Sequence, residues 1–381
     1  MTFLRNLVDL NMEDAVEYHY GSFPPASIDA LKIIDPLAEA AAALARYDQM
    51  LKGMHNSEIL LAPLRSQEAV VSSRMEGTVS TLDEVLRYEA DHEDGESEAL
   101  TDYRSEAVEV ALYGRAMRHA QKKVDEGVPI SDWLVRAAHK ELLQFGRGAL
   151  SAPGQYKTEQ NYIVDRMRRS VLFVPVRPEH LQDGMSALFK YIGTSEHQLL
   201  IRTAMAHLEF EALHPFKDGN GRIGRMLITL MLWKHGAISA PHFYASAYFE
   251  EHRDEYIDRM REVSKNGAWT EWTVFFLRGL SAQAHSNLEK AEGIRILYEE
   301  MKDAFREVLS SQWSTSALDF VFGRPIFRNN TFTSRSGIPK PTAHRFTRTL
   351  LERGFLKIVA PAAGRRPAVY AFEPLLDLLR E

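Results

Sequence analysis

This chain is organised around one stretch of twelve residues, His214-Pro215-Phe216-Lys217-Asp218-Gly219-Asn220-Gly221-Arg222-Ile223-Gly224-Arg225. Apolar residues at helical spacing precede it, and an uninterrupted apolar run over 226–233 follows it. The pattern predicts two core helices joined by a loop, with the second helix beginning inside the stretch. A helix N-terminus offers unpaired backbone N–H groups and the positive end of the helix dipole. The stretch therefore predicts an anion site between two buried helices.

The side chains of the stretch suit a phosphorylated ligand. Gly219 and Gly221 lack the side chains that would keep a phosphate group away from the backbone. Arg222 and Arg225 are three residues apart, on one side of the new helix, and a guanidinium group can bind two phosphate oxygens. Asp218 suits a divalent cation that is shared with phosphates.

His214 is the residue of the stretch that can accept a proton near neutral pH. Taken one at a time, these residues also fit a capped loop with its arginines in solvent and its histidine in the core. Taken together in this order, they predict phosphate chemistry with His214 as the base.

The stretch resembles the signature of the Fic domain, His-Pro-Phe-x-Asp/Glu-Gly-Asn-Gly-Arg-x-x-Arg, at every fixed position. The resemblance implies a helical fold and the transfer of AMP from ATP to a Tyr, Thr or Ser hydroxyl of a target protein, with ATP and Mg²⁺ as ligands. A kinase-like branch of the family lacks the second glycine, so Gly221 favours nucleotidyl transfer. The expected catalytic base is His214, and the expected metal ligand is Asp218. The expected nucleotide-binding residues in the stretch are Lys217, Asp218, Gly219, Asn220, Gly221, Arg222 and Arg225.

A second motif lies N-terminal to the first. Ser72 and Glu76 are four residues apart on one face of a predicted helix, which Gly77 is suited to end. A solvent-facing glutamate is the alternative interpretation. However, Ser72-Ser73-Arg74-Met75-Glu76-Gly77 resembles the inhibitory motif of Fic proteins, in the arrangement called class II. The resemblance implies that Glu76 pairs with Arg225 and withholds this arginine from the γ-phosphate of ATP.

Short β-prone runs between residues 151 and 176 predict a hairpin. An edge hairpin without a role is one interpretation. Gln160-Asn161-Tyr162-Ile163 and Phe173-Val174-Pro175 resemble the segments that introduce the Fic flap, which aligns the backbone of the target by strand addition. The resemblance implies that the target contacts Ile163, Val171, Leu172 and Phe173.

Aromatic residues after the signature allow two interpretations. Aromatics at helical spacing, such as Tyr248 and Tyr256, are usually core residues. In Fic proteins this region lines the nucleoside pocket, so the resemblance implies contacts of both tyrosines with the base or ribose. His207 is interpreted as structural, because no third metal ligand lies at a suitable spacing.

The composition is ordinary for a globular protein, with 381 residues, 45% hydrophobic and 26% charged. The sequence contains neither an apolar span of membrane length nor a recognisable secretory signal. It contains no cysteine, which excludes disulfides and thiol chemistry. We therefore expect a cytoplasmic protein without membrane contacts. Its oligomeric state stays open, and a homodimer is one of the options.

Charge distinguishes the C-terminal part of the chain. Residues 316–381 contain 11 Lys and Arg but 5 Asp and Glu, whereas the whole chain carries a net charge of -6. Their pattern of helix, helix and hairpin resembles a winged helix-turn-helix, with residues 331–333 as a short strand. Such a module can bind DNA through its second helix. A protein-contact or dimerisation module is the alternative, and the positive charge slightly favours nucleic acid.

We therefore expect a mainly α protein with a Fic helical bundle, a β-hairpin flap and a C-terminal winged helix. Residues 1 to about 35 are expected to be irregular, and the acidic run 89–96 to be a mobile loop. The expected domains are an N-terminal helical region with the inhibitory helix at 1–110, the Fic core at 111–287, a linker helix at 288–315 and the winged helix at 316–381.

Two further functions fit the sequence. In one, the Fic fold senses a nucleotide and the winged helix regulates transcription. In the other, the transferred group is UMP or phosphocholine, because the motif fixes phosphate chemistry better than it fixes the base. The target protein can also be this protein itself.

Overall fold

A computed structural model describes residues 11–92, 103–165, 167–364 and 366–380, with the side chain of Arg147 excepted. This part of the chain is mainly helical and carries two small sheets, which confirms the predicted fold class. None of its helices combines the length and the hydrophobicity that crossing a bilayer requires.

The helices follow one another along the chain, with a 3-10 helix at Gly146–Leu150 after the sixth. They are α1 Ala30–Gly53, α2 Ser57–Leu60, α3 Ala62–Met75, α4 Leu82–His92, α5 Ser105–Asp125, α6 Asp132–Leu142, α7 Pro178–Thr194, α8 Leu199–Leu213, α9 Asn220–Lys234, α10 Ser246–Glu251, α11 Arg253–Asn266, α12 Trp269–Leu309, α13 Ser314–Gly323, α14 Asn329–Arg335, α15 Lys340–Glu352 and α16 Glu373–Arg380. The strands are β1 Val16–Glu17, β2 Ile163–Asp165, β3 Ser170–Val174, β4 Ile326–Arg328, β5 Lys357–Ala360 and β6 Val369–Ala371.

These elements form two compact units. Unit 1 comprises Met1–Asp48, Val71–Thr78 and Leu112–His285, and unit 2 comprises Gln49–Val70, Val79–Ala111 and Ser286–Glu381. Each domain expected from the sequence is one continuous segment, whereas each unit of the structure consists of three separate segments. The difference arises because α1, α3, α5 and α12 each contribute residues to both units.

Helices α8 and α9 lie at the centre of unit 1, and both are buried along almost their whole length. Gly224 allows their close approach, since a Cβ atom there would lie 2.2 Å from Glu211 Oε1 and 3.2 Å from Phe210 Cδ1. Burying one large apolar side chain contributes about 1.5–3 kcal/mol. The packing of this helix pair therefore fixes the position of the loop between them.

Unit 1 also contains a three-stranded sheet in the order β1-β3-β2. Strands β2 and β3 form the predicted hairpin, with Val164 opposite Val171. Strand β1 pairs in parallel with β3, with Val16 opposite Phe173. Because β1 covers one side of β3, strand β2 is left at the edge of this sheet.

The N-terminal arm differs from the irregular segment expected up to about residue 35. It contains β1, and α1 begins at Ala30. The reason is a long-range contact that the local sequence does not reveal. Tyr18 donates a hydrogen bond to Glu209 Oε1 at 2.6 Å, and His19 Nε2 lies 2.8 Å from Glu209 Oε2. The buried carboxylate of Glu209, on α8, therefore holds the arm along the hairpin.

Unit 2 contains the winged helix, in which α13, α14 and α15 accompany a sheet of order β4-β6-β5. Strand β4 and helix α16 were not expected from the sequence. The strand predicted at 331–333 is wrong, because these residues lie in α14. The helix buries Phe332, whose ring meets that of Phe320 edge-on at 5.0 Å.

Two further expectations need correction. The linker helix predicted at 288–315 is not separate, because α12 runs unbroken from Trp269 to Leu309 and buries residues such as Ile294 and Phe305 along its length. The acidic run was expected to be a loop, but its residues 89–92 belong to α4, where Asp91 pairs with Arg328. The remainder of the run, 93–96, lies outside the described residues.

Candidate active site

The loop between α8 and α9 is held in shape by its own side chains. His214 ends α8 with φ of 45°, and Gly219 precedes α9 with φ of 78°, so both adopt left-handed backbone conformations. Asn220 Oδ1 accepts a hydrogen bond from Phe216 N, and Asn220 Nδ2 donates one to the Phe216 carbonyl, both at 2.8 Å. Asn220 is one of the residues that the resemblance assigns to nucleotide binding. In this structure its side chain shapes the loop instead, because both polar atoms are engaged with Phe216.

A buried histidine of α6 supports the loop. The ring of His139 stacks on Phe216, with 3.6 Å between centroids. His139 Nδ1 accepts a hydrogen bond from Gly154 N at 2.8 Å, and Nε2 donates one to the Asp218 carbonyl at 2.9 Å. Burial lowers the pKa of His139 to about 4, so the ring is neutral at pH 7. Sequence reasoning missed this residue, because its partner Asp218 lies 79 residues later.

Two residues of the segment before β2 bind the same loop from another side. Lys157 is buried, with 3% exposed, and its Nζ donates to Asn161 Oδ1 at 2.8 Å and to the Leu213 carbonyl at 3.1 Å. Asn161 Nδ2 donates to the carbonyls of His214 and Phe216, both at 3.0 Å. Neither residue was assigned this role from the sequence.

His214, the expected base, is buried and is 5% exposed. Its Nδ1 lies 3.4 Å from the carbonyl oxygen of Glu211, which can only accept a hydrogen bond. The proton of the neutral ring therefore belongs on Nδ1, which leaves the lone pair on Nε2. Burial, together with the charge of Lys157, lowers the pKa of His214 to about 4. The ring is consequently neutral at pH 7 and able to take up a proton.

Arg222 is a buried cation whose hydrogen-bonding capacity is largely unused. It is 3% exposed, and its Nη2 lies 3.6 Å from Asp218 Oδ1. Within the described part of the chain, its Nε and Nη1 atoms have no hydrogen-bond partner. Leaving buried donors unpaired costs about 1–3 kcal/mol each, unless a ligand supplies acceptor atoms. Arg222 is therefore a candidate for binding an anion at the N-terminus of α9.

The second guanidinium group of the motif binds Ser72 of α3 and Glu76, which follows α3 directly. Arg225 Nε donates to Ser72 Oγ at 2.9 Å, and its Nη2 donates to the Ser72 carbonyl at 2.8 Å and to Glu76 Oε1 at 3.1 Å. Burial raises the pKa of Glu76, but the charges of Arg225 and Arg222 outweigh this effect and lower it. Glu76 is therefore ionised beside the anion site. Gly77 follows it with φ of 83°, as suits the residue that ends a helix.

Glycine at position 221 makes the approach of Glu76 possible. A Cβ atom there would lie 2.0 Å from Glu76 Oε1 and 2.8 Å from Arg225 Nη1. Gly221 therefore serves the carboxylate in this structure, in addition to the access for phosphate that the sequence suggested.

Glu211 is a second carboxylate in the interior of the site. It is 7% exposed, and its Oε1 atom has no hydrogen-bond partner within the described residues. Burial raises the pKa of Glu211 to about 8, with Arg225 opposing the shift and Glu76 adding to it. The sequence offered one signal for this residue, an acidic side chain three positions before His214 in a helix that is buried along almost its whole length.

The predicted flap residues surround an apolar groove. Its lining includes Ile163, Leu172 and Phe173 of the hairpin, with Ile257 and Met260 of α11 opposite. Val171, the fourth predicted flap residue, is fully buried and does not line this groove. On the groove side, Arg261 Nε donates to the Leu172 carbonyl at 3.1 Å and ties β3 to α11.

The predicted nucleoside contacts differ in their surroundings. Tyr248 is half-buried, and its ring stacks on His252 with 4.2 Å between centroids. Tyr256 is buried, and its hydroxyl donates to His207 Nε2 at 2.8 Å, while His207 Nδ1 donates to the Gly224 carbonyl at 3.0 Å. The position of Tyr256 therefore supports the core interpretation, because its hydroxyl already has a partner. Lys217 is half-buried in the motif loop.

Family models match three segments of the chain. Residues 34–122 match the model of the Fic/DOC family N-terminal region, and residues 129–232 match the model of the Fic/DOC family. Together these two models cover just over half of the chain and include the whole motif stretch. This chain belongs to the Fic/DOC family. Residues 333–358 match the model of the IclR helix-turn-helix domain, in agreement with the winged helix.

Curated relatives of this Fic chain resemble it over short segments. The uridine 5'-monophosphate transferase of Xanthomonas campestris pv. campestris (strain 8004) is 39% identical over 72 residues, 17% of this chain and 13% of the relative. Protein adenylyltransferase fic-1 of Caenorhabditis elegans is 32% identical over 87 residues, 22% of this chain and 16% of the relative. Protein adenylyltransferase Fic of Nematostella vectensis is 28% identical over 114 residues, which are 29% of this chain and 24% of the relative. The chain thus spans less than a quarter of the length of each.

Solved structures share the fold more extensively. A Fic family protein from Desulfovibrio desulfuricans G20 aligns with a TM-score of 0.58 at 20% identity, covering 92% of this chain and 98% of that one. Fic-1 from C. elegans, residues 134–508, aligns with a TM-score of 0.51 at 18% identity, covering 69% and 72%. At these identities the likeness establishes the Fic fold.

Within this fold, the structure brings the two sequence motifs together. Ser72 and Glu76 contact Arg225, and the motif loop gathers His214, Asp218 and Arg222 in one place. The residues that sequence reasoning missed in the Fic site are His139, Lys157, Asn161 in its loop-binding role, and Glu211.

Proposed function

We propose that this Fic protein transfers AMP from ATP to a Tyr, Thr or Ser hydroxyl of a target protein. The observation that carries the proposal is the buried Arg222, whose unpaired donors lie at the N-terminus of α9 in the same loop as the neutral His214. Nucleotidyl transfer uses a cation that can donate to phosphate oxygens and a base with a free lone pair, and Arg222 and His214 offer these two groups.

The triphosphate of ATP would lie over residues 219–225. Gly219 and Gly221 give it access to the backbone N–H groups of the first turn of α9, where the helix dipole also favours an anion. Arg222 would donate to phosphate oxygens through its unpaired nitrogens. These groups would stabilise the charge that develops around the α-phosphorus during the reaction.

His214 would take the proton from the hydroxyl of the target. The oxygen then attacks the α-phosphorus, the bond to the bridging oxygen of the β-phosphate breaks, and pyrophosphate leaves. The lowered pKa of His214, about 4, keeps the imidazole available for this proton at pH 7. Most of the catalytic effect would come from positioning and electrostatics.

Asp218 suits Mg²⁺ that is shared with the nucleotide. Its carboxylate is 16% exposed, and the described residues contain no group of three or more His, Cys, Asp or Glu side chains that could hold a metal. A cation beside Asp218 would therefore take most of its ligands from phosphates and water, as Mg²⁺ commonly does. Its positive charge would partly neutralise the negative charge of the phosphates.

Glu76 would inhibit the transfer. Its carboxylate occupies Arg225, which the γ-phosphate of ATP needs, and its negative charge lies beside the anion site. Access of ATP in a productive pose would require Glu76 to withdraw. Ser72 and Gly77 would support the inhibitory position, the first by binding Arg225 and the second by ending α3.

The target would bind along the flap. Strand β2 lies at the edge of its sheet, so an extended peptide can add to it through backbone hydrogen bonds with little demand on sequence. Ile163, Leu172 and Phe173 would contact the side chains of that peptide.

The test is transfer of label from α-³²P-ATP with Mg²⁺, for the full chain alone and in a lysate, followed by intact-mass spectrometry. We expect the wild type to gain the mass of one adenylyl group, which is AMP less one water, through modification of its own hydroxyl groups. We expect His214→Ala to lose transfer while ATP binding is retained. The matched control is His285→Ala, which replaces an exposed histidine of α12. Transfer that persists in His214→Ala would place the base elsewhere.

A second candidate is the transfer of UMP. One relative that is 39% identical over 72 residues is named a uridine 5'-monophosphate transferase. Parallel incubations with ATP, UTP and CDP-choline distinguish the groups by the mass they add. A gain equal to UMP alone would replace AMP in the proposal and leave the roles of His214 and Arg222 intact.

Regulation of transcription is a third candidate, which the match of residues 333–358 to a helix-turn-helix model favours. Lys340, His344 and Arg348 are exposed and recur every four residues along α15, so they form a basic stripe on one face of this helix. DNA binding by the full chain that weakens with salt and is lost in Lys340→Glu/Arg348→Glu would support this candidate. Sequence-specific binding without nucleotide transfer would favour it over the enzyme.

A further inference from the structure

The backbone of His214 adopts a conformation that non-glycine residues seldom use. Its φ and ψ are 45° and 60°, within the left-handed region. A β-carbon makes this region unfavourable, so the surrounding structure must hold it. The conformation determines where the imidazole points as the chain leaves α8.

Lys157 and Asn161 bind every carbonyl group of residues 213–216. Lys157 Nζ donates to the Leu213 carbonyl at 3.1 Å, and Lys157 N donates to the Pro215 carbonyl at 2.8 Å. Asn161 Nδ2 donates to the carbonyls of His214 and Phe216, both at 3.0 Å. The two residues are joined by the bond from Lys157 Nζ to Asn161 Oδ1 at 2.8 Å. We name this pair the carbonyl clamp.

The clamp also brings a charge to the imidazole. Burial lowers the pKa of Lys157 to about 7, so the ammonium form predominates below neutral pH. That charge lies at the C-terminus of α8, where the helix dipole favours a cation. It opposes protonation of His214, whereas Glu76 at the end of α3 and Asp218 in the loop favour protonation. A methionine would fill the same space without the desolvation of a cation, which suggests that the charge has a use.

We propose that Lys157 and Asn161 are positioning residues for nucleotide transfer, which hold the backbone of residues 213–216 so that His214 faces the reacting hydroxyl, while the charge of Lys157 opposes protonation of the imidazole. This inference rests on the proposed role of His214 as the base. The inference assigns a function to two residues that lie outside the motif stretch 214–225.

The experiment compares Lys157→Met and Lys157→Arg with the wild type in the full chain. The pKa of His214 is measured by NMR of ¹³C-labelled histidine, with the resonance assigned from His214→Gln. In Lys157→Met we expect the pKa of His214 to rise by about 0.5–1 unit, since a neighbouring positive charge is removed. Lys157→Arg retains the charge and should restore a value close to that of the wild type. The matched control is Lys190→Met, on the exposed face of α7.

Transfer kinetics supply a second measurement. We expect kcat of Lys157→Met to fall about tenfold while KM for ATP changes less than about twofold, because the clamp acts on the base and not on the nucleotide. Asn161→Leu keeps the charge of Lys157 but removes two carbonyl contacts. It should lower kcat by a similar factor while moving the pKa of His214 by less than the lysine variant does.

An unchanged pKa of His214 in folded Lys157→Met, together with an unchanged kcat, would overturn the inference. So would the failure of both Lys157→Met and Asn161→Leu to fold, because the contacts would then serve folding alone. If the wild type transfers no nucleotide, the proposed function fails separately, and the NMR titration still decides whether the clamp controls His214.

Discussion

The carboxylate of Glu76 lies 3.1 Å from Nη2 of Arg225, which follows it by 149 residues. Ser72, one helical turn earlier, accepts two more hydrogen bonds from the same guanidinium group. Arg225 therefore directs its Nε and Nη2 atoms at α3. In this state these atoms are not available to a phosphate.

Glu76→Gly should release Arg225 and raise the rate of nucleotide transfer by about tenfold or more, which corresponds to about 1.4 kcal/mol in the activation free energy. The rate is measured as incorporation from α-³²P-ATP at saturating nucleotide. Arg74→Gln is the matched control, because it changes a neighbouring charge whose own partner is Glu250. An equal rate in the wild type and Glu76→Gly would remove the inhibitory role.

Gly221→Ala should destabilise the protein mainly through Glu76. The added Cβ would lie 2.0 Å from Glu76 Oε1, and overpacking of this kind costs about 1–3 kcal/mol. We expect the cost to be smaller when Gly221→Ala is combined with Glu76→Gly, because most of the clash is then absent. Chemical denaturation of the four proteins of this cycle measures the coupling. Gly193→Ala is the control, since a Cβ there meets nothing within 4 Å. Strictly additive effects would contradict the expected contact.

Arg222→Met should separate stability from binding. The substitution removes two buried donors that lack partners, so we expect the melting temperature to stay the same or rise. We also expect ATP affinity to fall at least about tenfold, because the phosphates lose a charged donor. Thermal denaturation and calorimetric titration with Mg²⁺ and ATP measure the two effects. Arg259→Met removes an exposed arginine as control. Retained affinity would move the anion site away from Arg222.

Glu211→Gln should gain stability relative to the wild type as pH rises. In the folded protein the pKa of Glu211 is raised to about 8, from an ordinary value of 4.5, mainly by burial. Between these values the native state holds a proton that the unfolded state has released, so the wild type loses stability as pH rises. Glutamine has no such proton to lose. We expect the difference in free energy of unfolding to grow by about 1 kcal/mol or more between pH 5 and 8. A constant difference would mean that Glu211 is ionised in the native state.

The sequence by itself determined the mainly α fold and the location of the candidate anion site. Few structures are compatible with a glycine-rich loop between two apolar helical runs. Both runs must be buried as helices, and the loop must lie at the N-terminus of the second helix. The motif and the match of the family model over 129–232 agree on this segment.

Local sequence could not reveal the strand at 16–17 or the helix over 329–335. The first depends on Glu209 of α8, which binds Tyr18 and His19, and the second on the burial of Phe332 against Phe320. In both cases a distant contact outweighs a weak local preference.

Only the tertiary structure decided the orientation, the hydrogen-bond partners and the protonation of the candidate base and of the two arginines. His139 of α6 and the pair Lys157 and Asn161, which precedes β2, contact the motif loop from two other segments of the chain, and none of them has a recognisable spacing to it. The pKa values of His214 and Glu211 depend on burial and on neighbouring charges, which exist only once the chain has folded. Sequence spacing along one helix or loop can identify the groups that carry the chemistry. Their protonation and orientation come from contacts between segments that the order of residues does not encode locally.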